Sequence, residues 1–351
     1  MTINKSKNGN KDYSISCARF VAMCFIFACH VMQRDDFSSN INDAHISWAF
    51  WFNVGVQMFL FISGLLYGKR DEIDVFEFYK KGFAKILVDY YVFIIVMIMV
   101  ILWSPLMSID KYDVVGLITL SGTIQGLEHL WFISTILLCY LFVPVFSAII
   151  NVIYKHGNVR FFVESILLVL VVHVVVKCFF AAFSSAWINC FVIGMLYSRI
   201  ERRKIVKNIF CILTLIACLV IIPVQFRIDY WQQGEIIGPF SLIYSNLVQY
   251  GHVFLGIVLV IVIRLIYNRC ESKTFKHDML NWSDNHSYDV YLVHHVFVQS
   301  SFGCVEFISN RWIAIPLAIV LTVVTSMFLH VVSEFIRNKV FSSDQKFSNP
   351  C

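Results

Sequence analysis

Hydrophobic residues fall into ten long runs, separated by shorter stretches that hold most of the Lys and Arg residues. The runs occupy residues 13–32, 48–68, 84–103, 130–150, 161–182, 184–198, 208–224, 241–266, 288–304 and 312–332. Most are about 20 residues long, the length that an α-helix needs to cross the hydrocarbon core of a bilayer. The sixth and ninth runs are short. The pattern predicts an all-α, polytopic membrane protein, a bundle of about ten transmembrane helices.

Composition points the same way. Of the 351 residues, 58% are hydrophobic and 15% are charged, against about 25% charged residues in soluble chains. A pair of soluble domains is therefore excluded, and we expect one transmembrane domain over 1–351 with polar tails at 1–12 and 336–351. The segment 75–87 mixes aromatic residues with lysines, which is typical of an interfacial helix leading into the third run.

The distribution of Lys and Arg predicts the orientation. If both termini are cytoplasmic, the outer segments carry only Arg34, Lys111, Arg227 and Arg311. Cytoplasmic segments of membrane proteins are enriched in these residues, so the pattern predicts cytoplasmic termini and an even number of spans. The net charge of +5 is thus a topology signal and does not indicate nucleic-acid binding. No small-residue cleavage site follows the first run, so we expect it to remain as an anchor.

Two ionisable residues, Arg19 and His30, lie in the first run. Such residues are costly in lipid and commonly have a function. Eleven steps of about 100° bring both side chains to one helix face, roughly 16 Å apart along the axis. His30, near the outer end, fits either a general base or an interfacial histidine. Arg19, near the cytoplasmic end, fits either a phosphate or thioester contact or a snorkelling arginine.

The second and fourth runs carry further polar candidates. Ser63 and Gly64 end the second run, where small residues indicate close helix packing or leave room for a narrow ligand. Glu128 and His129 precede Trp131 at the outer start of the fourth run. Trp131 is typical of interfacial anchoring, whereas the neighbouring Glu-His pair suits a sugar hydroxyl or the orientation of a base.

The ninth run begins with SYDVYLVHHVFV, residues 287–298. Tyr291 lies three residues before His294 and four before His295, so their side chains share a helix face. Histidines can bind metals, but no carboxylate sits at ligand spacing here and the chain has no CxxC pair. We therefore expect no metal.

Four segments together resemble acyltransferase family 3, the membrane proteins that O-acetylate bacterial surface polysaccharides. The segment from Arg19 to His30 resembles the family's Arg-x10-His signature. FLFISG (59–64), HLWFISTILLCYLFVP (129–144) and SYDVYLVH (287–294) resemble three later segments, in the same order. The family's ten-span architecture agrees with the number of runs. Where the family usually has an Arg-rich cluster after the second span, this chain has Lys80, Lys81 and Lys85.

The resemblance implies acetyl transfer from cytoplasmic acetyl-CoA to a hydroxyl of a surface glycan or its lipid-linked precursor, in the bacterial cytoplasmic membrane. His30 and Arg19 would be the catalytic residues. The donor would be held by Arg19, Lys80, Lys81, Lys85, Ser63 and Gly64, and the acceptor by Glu128, His129, Trp131, Tyr291 and His294. An exporter of a glycan precursor or acyl donor and a scaffold in polysaccharide synthesis are the alternatives, and a homo-oligomer stays open.

Overall fold

A computed structural model describes residues 11–34, 48–232, 240–270 and 275–341, and these residues contain helices and no strands. The helices are α1 (Tyr13–Arg34), α2 (Trp48–Phe52), α3 (Val54–Gly68), α4 (Val75–Trp103), α5 (Lys111–Ile118), α6 (Trp131–Tyr154), α7 (Asn158–Phe179), α8 (Ser185–Ile200), α9 (Lys204–Gln232), α10 (Phe240–Arg269), α11 (Phe275–Val298), α12 (Cys304–Phe307) and α13 (Arg311–Phe341). A short 3-10 turn, Glu128–Leu130, precedes α6.

Eight helical segments in the described part of the chain are long and apolar enough to cross a membrane. They are α1, α2 with α3, α4, α6, α7, α9, α10 and α13. The predicted all-α polytopic bundle is therefore confirmed. The sixth and ninth hydrophobic runs correspond to α8 and α11, which are helices of a different kind: α8 has only 16 residues, and the first half of α11 is polar.

The short helix α8 is enclosed by the bundle. All of its residues except Trp187 are buried, and it packs closely against α3. A Cβ atom at Gly64 would lie 1.9 Å from the backbone oxygen of Phe191, and one at Gly194 would lie 2.2 Å from that of Phe61. Small residues let the backbones of membrane helices approach closely, and glycine is required on both helices here.

Helix α11 begins at Phe275 and ends at Val298, so the predicted bounds of the ninth run, 288–304, are wrong at both ends. The polar residues before 288 lie outside the predicted hydrophobic run. They are helical because their side chains have partners near the start of the chain: Asp284 binds Lys11, which precedes α1, and Arg19 of α1, each at 2.8 Å. After Val298 the chain turns and enters the short helix α12.

Helix α4 joins the predicted interfacial segment 75–87 and the third hydrophobic run into one unbroken helix. Asp74 caps it, since its side chain accepts a hydrogen bond from the backbone N–H of Glu77 at 3.0 Å. A carboxylate satisfies N–H groups that the first helical turn leaves without partners. The lysines of this segment therefore have positions fixed by a regular helix.

Helices α1 and α11 run parallel and in register. Arg19 contacts Asp284, His30 contacts His295 at a ring-centroid distance of 4.1 Å, and Arg34 Nη1 donates to the carbonyl of Gln299 at 3.2 Å. Each pair joins residues that are 265 positions apart in the sequence. The eleven-residue spacing between Arg19 and His30 is thus matched on α11, and one face of α1 presents both residues to it.

Candidate functional site

A cavity of about 860 Å³ lies between α1, α3, α4, α6 and α11. Five of the sequence-predicted residues line it: Arg19, Ser63, Lys81, Lys85 and Tyr291. Aromatic side chains supply much of the remaining wall, among them Tyr67, Phe132 and Tyr140. The cavity is large enough for part of an elongated ligand and combines apolar walls with charged groups, as small-molecule sites commonly do.

Arg19 is held in this cavity by Asp284. Arg19 Nη1 donates to Asp284 Oδ1 at 2.8 Å, and the hydroxyl of Ser16 donates to Asp284 Oδ2 at 2.5 Å. The side chains of Arg19 and Asp284 are only 17% and 10% exposed. A charge in such a place requires a partner, so Asp284 orients the guanidinium, and the remaining N–H groups of Arg19 can bind a ligand.

The three lysines of α4 differ in position. Lys85 lines the cavity and, among the described residues, makes no salt bridge. Lys81 also lines it but pairs with Glu77 at 2.6 Å, whereas Lys80 lines a separate groove on the surface of α4, beside Tyr79 and Leu141. The cavity lining includes five cationic and five acidic side chains among the described residues. An anionic ligand would therefore meet Lys85 and Arg70, which make no salt bridge among the described residues, beside paired cations and acidic groups.

Ser63 and Gly64 face different neighbours. Ser63 lines the cavity, whereas Gly64 lies against the backbone of Phe191 on α8. Neighbouring residues of a helix point about 100° apart, which explains the division. The location of Ser63 suits ligand contact, and that of Gly64 suits helix packing.

Beyond the cavity, four histidines of the described chain form a cluster: His30, His129, His294 and His295. Ring centroids lie 4.1 Å apart for His30 and His295 and for His129 and His295, and 5.1 Å apart for His30 and His294. His129, His294 and His295 are almost fully buried. The cavity and the cluster share Tyr291, whose hydroxyl donates to the carbonyl oxygen of His129.

Hydrogen bonds fix the orientation of three of these rings. The Nδ1 atom of His30 donates to Gln33 Oε1 at 2.8 Å, that of His294 to the carbonyl of Tyr291 at 2.6 Å, and that of His295 to the carbonyl of Gly126 at 3.2 Å. With Nδ1 protonated, Nε2 of each neutral imidazole carries the lone pair. The three rings therefore present Nε2 as a proton acceptor or a ligand atom.

The structure places the residues predicted to bind the acceptor in two different locations. Glu128 lies at the cluster, with its Oε2 atom 3.9 Å from His295 Nδ1 and its Oε1 atom accepting from the backbone N–H of Gly126 at 2.9 Å. Trp131 instead stacks on Trp187 of α8 at 4.0 Å. Glu128, His129, Tyr291 and His294 thus lie together with His30, and Trp131 belongs to a neighbouring aromatic pair.

Comparison with protein-family models decides the identity of this bundle. The model of the acyltransferase domain of acyltransferase family 3 matches residues 12–331, nearly the whole chain. The chain belongs to acyltransferase family 3. The match spans α1 through most of α13, so both the cavity and the histidine cluster lie in the acyltransferase domain. Comparisons with curated proteins and with solved structures returned no match.

Two residues of the candidate site, Asp284 and Gln33, escaped the sequence-based prediction. Asp284 could have been found from the rule that a cation in a membrane span needs a partner, since it lies near the predicted start of the ninth run, at the same end as Arg19. Gln33 lies three residues after His30 on the same helix face. Glutamine is a common residue, and no sequence pattern marks Gln33 as part of a site.

The rim of the cavity is held by a buried arginine on α8. Arg199 donates to Asp71 Oδ1 at 2.5 Å, to Asn151 Oδ1 at 2.8 Å and to the carbonyl of Arg70, a cavity residue, at 3.2 Å. Asp71 lies in the segment between α3 and α4, outside the spans. The hydrogen bond from Arg199 lowers the pKa of the Asp71 carboxyl below its ordinary value.

Proposed function

We propose that this membrane acyltransferase moves an acetyl group from cytoplasmic acetyl-CoA to a hydroxyl of a cell-surface polysaccharide or its lipid-linked precursor, with His30 as the general base. The enzyme would lie in the bacterial cytoplasmic membrane with its cavity toward the cytoplasm. The distribution of Lys and Arg supports this orientation, because Arg19 lies toward the predicted cytoplasmic end of α1 and His30 toward the outer end.

The observation that carries the proposal is the common axis of the two sites. Arg19 and His30 lie on one face of α1, roughly 16 Å apart along it, and both contact the parallel helix α11. One site is a cavity with charged walls, and the other is a cluster of basic nitrogens. A donor with a charged head and a long, thin arm ending in a thioester matches this arrangement, and coenzyme A has that shape.

On the donor side, Lys85 and Arg19 would contact the phosphates of the coenzyme. Lys85 makes no salt bridge among the described residues, so its charge is available to pair with a phosphate. Arg19 offers the guanidinium N–H groups that do not donate to Asp284. Lys80 is not expected to contribute because it lies in the separate surface groove.

On the acceptor side, His30 has the protonation pattern that a general base requires. Its Nδ1–H is held by Gln33, so the lone pair of Nε2 can take the proton of an acceptor hydroxyl. The hydroxyl oxygen then attacks the thioester carbon, the carbon–sulfur bond breaks, and the coenzyme A thiolate receives the proton. Transfer is direct, without an acyl-enzyme, since the sequence offers no strong nucleophile-base pair.

The test uses membrane vesicles supplied with labelled acetyl-CoA and purified glycan. His30→Ala is expected to lower the rate of acetylation about 100- to 10,000-fold, the usual contribution of a general base, and Arg19→Gln to raise the KM for acetyl-CoA. His156→Ala is the matched control, because His156 lies between α6 and α7 and bonds Glu164 instead of the cluster. Acetylation that is intact in His30→Ala would refute the proposed role of His30.

A second measurement identifies the reaction. Mass spectrometry of surface glycans from cells with and without the protein is expected to show a loss in units of one acetyl group. A glycan that is unmodified in both, but exported only in the presence of the protein, would favour an exporter instead. Wild-type acetylation in both Arg19→Gln and His30→Ala would favour a scaffold.

A further inference from the structure

We propose that His30, His294 and His295 form a binding site for a divalent transition-metal cation of the zinc type. One ligand nitrogen from each residue lies within 4.8 Å of the other two. The residues come from α1 and α11, whose parallel register brings His30 beside His295. Since those helices are far apart in the sequence, no local ligand spacing in the chain indicates such a site.

The hydrogen bonds around the three rings are those of metal-binding histidines. Metal-bound histidines usually donate the N–H of the other ring nitrogen to a carbonyl or carboxylate oxygen, which fixes the tautomer. Here Nδ1 of each ring donates to an oxygen atom, from Gln33, Tyr291 and Gly126 respectively. All three rings are therefore set to present the deprotonated Nε2 to a ligand.

The Nε2 atoms of His294 and His295 are buried and have no hydrogen-bond partner within the described part of the structure. Both side chains are more than nine-tenths buried, with relative exposures of 2% and 3%. A buried nitrogen without a partner costs free energy, and a cation bound by both atoms removes that cost. The Nδ1 atom of His129, next to His295, is buried without a partner as well.

The ligand set selects the class of cation. Neutral imidazole nitrogens suit zinc, copper, nickel and ferrous iron and do not suit magnesium or calcium, which prefer oxygen ligands. Three histidines with an open fourth position form a known zinc geometry, with zinc–nitrogen distances of about 2.0–2.1 Å. The carboxylate of Glu128, 3.9 Å from His295 Nδ1, adds a favourable negative charge. Because this carboxylate is 57% exposed, it also marks a polar route into the cluster.

Binding is measured on purified, chelator-treated protein in detergent, by equilibrium dialysis against Zn²⁺ with elemental analysis. One bound zinc per chain is expected, with the affinity lowered at least tenfold in His294→Ala and in His295→Ala and unchanged in His156→Ala. Binding that is absent in the wild type, or equal in all four proteins, would overturn the proposal.

A second measurement needs no variant and therefore does not depend on how the variants fold. Co²⁺ added to the wild-type protein is expected to produce the intense visible absorption of a four-coordinate site with three histidine ligands, and Zn²⁺ to abolish it. A weak spectrum typical of six-coordinate aqueous cobalt would contradict the proposed ligand set.

The consequence for catalysis rests on the proposed function. A cation on Nε2 of His30 occupies the lone pair that would accept the hydroxyl proton, so Zn²⁺ is expected to inhibit acetyl transfer and a chelator to restore it. If zinc binds at the three histidines but activates transfer, the base role of His30 fails while the metal site stands. If zinc does not bind, the metal site fails, and the transfer assay with His30→Ala still decides the proposed function.

Discussion

Substitution of Gly64 by alanine tests whether this position serves helix packing or ligand binding. In the middle of an exposed helix, Gly→Ala stabilises by about 0.5–1 kcal/mol. At Gly64 the opposite sign is expected, because the new Cβ atom would lie 1.9 Å from the backbone oxygen of Phe191. Non-bonded carbon and oxygen atoms need roughly 3 Å, so α3 and α8 must separate locally by about 1 Å.

The size of the destabilisation depends on which atom the new Cβ atom contacts. Overpacking of a buried site costs about 1–3 kcal/mol, and the upper end applies because a backbone oxygen cannot rotate away as a side chain can. For a chain of 351 residues, the unfolding entropy is about 0.7 kcal/mol/K, so a loss of about 3 kcal/mol corresponds to a fall in apparent Tm of roughly 4 °C. The assay is the fraction of monodisperse protein left after heating, measured by size-exclusion chromatography in detergent.

Gly82→Ala is the matched control, since the nearest atom to its new Cβ would be a ring carbon of Tyr140 at 3.8 Å. Its apparent Tm is expected to stay the same or rise. If Gly64→Ala leaves the Tm unchanged but raises the KM for acetyl-CoA, the packing explanation is wrong, and Gly64 makes room for a ligand.

Three further predictions concern charge. Lys85→Gln is expected to raise the KM for acetyl-CoA about fivefold, the effect of roughly 1 kcal/mol. Lys80→Gln should leave the KM unchanged because Lys80 lies outside the cavity. An equal effect in both variants would refute the placement of the coenzyme. Arg199→Met is expected to lower the free energy of unfolding by about 2 kcal/mol through lost charged hydrogen bonds. Arg202 forms an exposed pair with Asp71 at 3.6 Å, so Arg202→Met is expected to lower it by less than about 0.5 kcal/mol. Equal apparent Tm values for the two variants would contradict this difference. Because the pKa of Asp71 is lowered in the folded protein, its carboxylate stabilises the fold above the unfolded pKa of about 3.9, and this contribution is lost as the pH falls through the lower folded pKa. Asp71→Asn should therefore reduce the loss of stability seen on acidification, measured as apparent Tm against pH. An acid dependence identical to that of the wild type would contradict the assignment.

The bundle itself was predictable because lipid imposes a simple rule on the sequence: a spanning helix must be apolar over about 20 residues. Helices such as α1, α6 and α7 follow that rule, and their predicted positions agree with the structure to within a few residues. Helix α11 does not follow it. Its polar first half is stabilised by side chains in and just before α1 that lie hundreds of positions earlier, and no local pattern contains that information.

The same limit applies to the site. The shared face of Arg19 and His30 was predictable because both belong to one helix of regular pitch. The meeting of His30 with His295 depends on the register between two helices, which a single helix does not encode. The expectation that no metal binds relied on ligand spacing within one segment, whereas the histidine cluster combines α1, α11 and the turn before α6.

The parallel pairing of α1 with α11 has a consequence for biogenesis. Arg19 and Asp284 are 265 residues apart, and a ribosome that adds about 5–20 residues per second needs roughly 13–53 seconds to cover that distance. Throughout that interval the first helix would carry its arginine without its carboxylate. Chains that stop before α11 would keep this cation without its partner Asp284. The ion pair that orients the arginine in the mature enzyme therefore forms only after the first half of α11 has been synthesised.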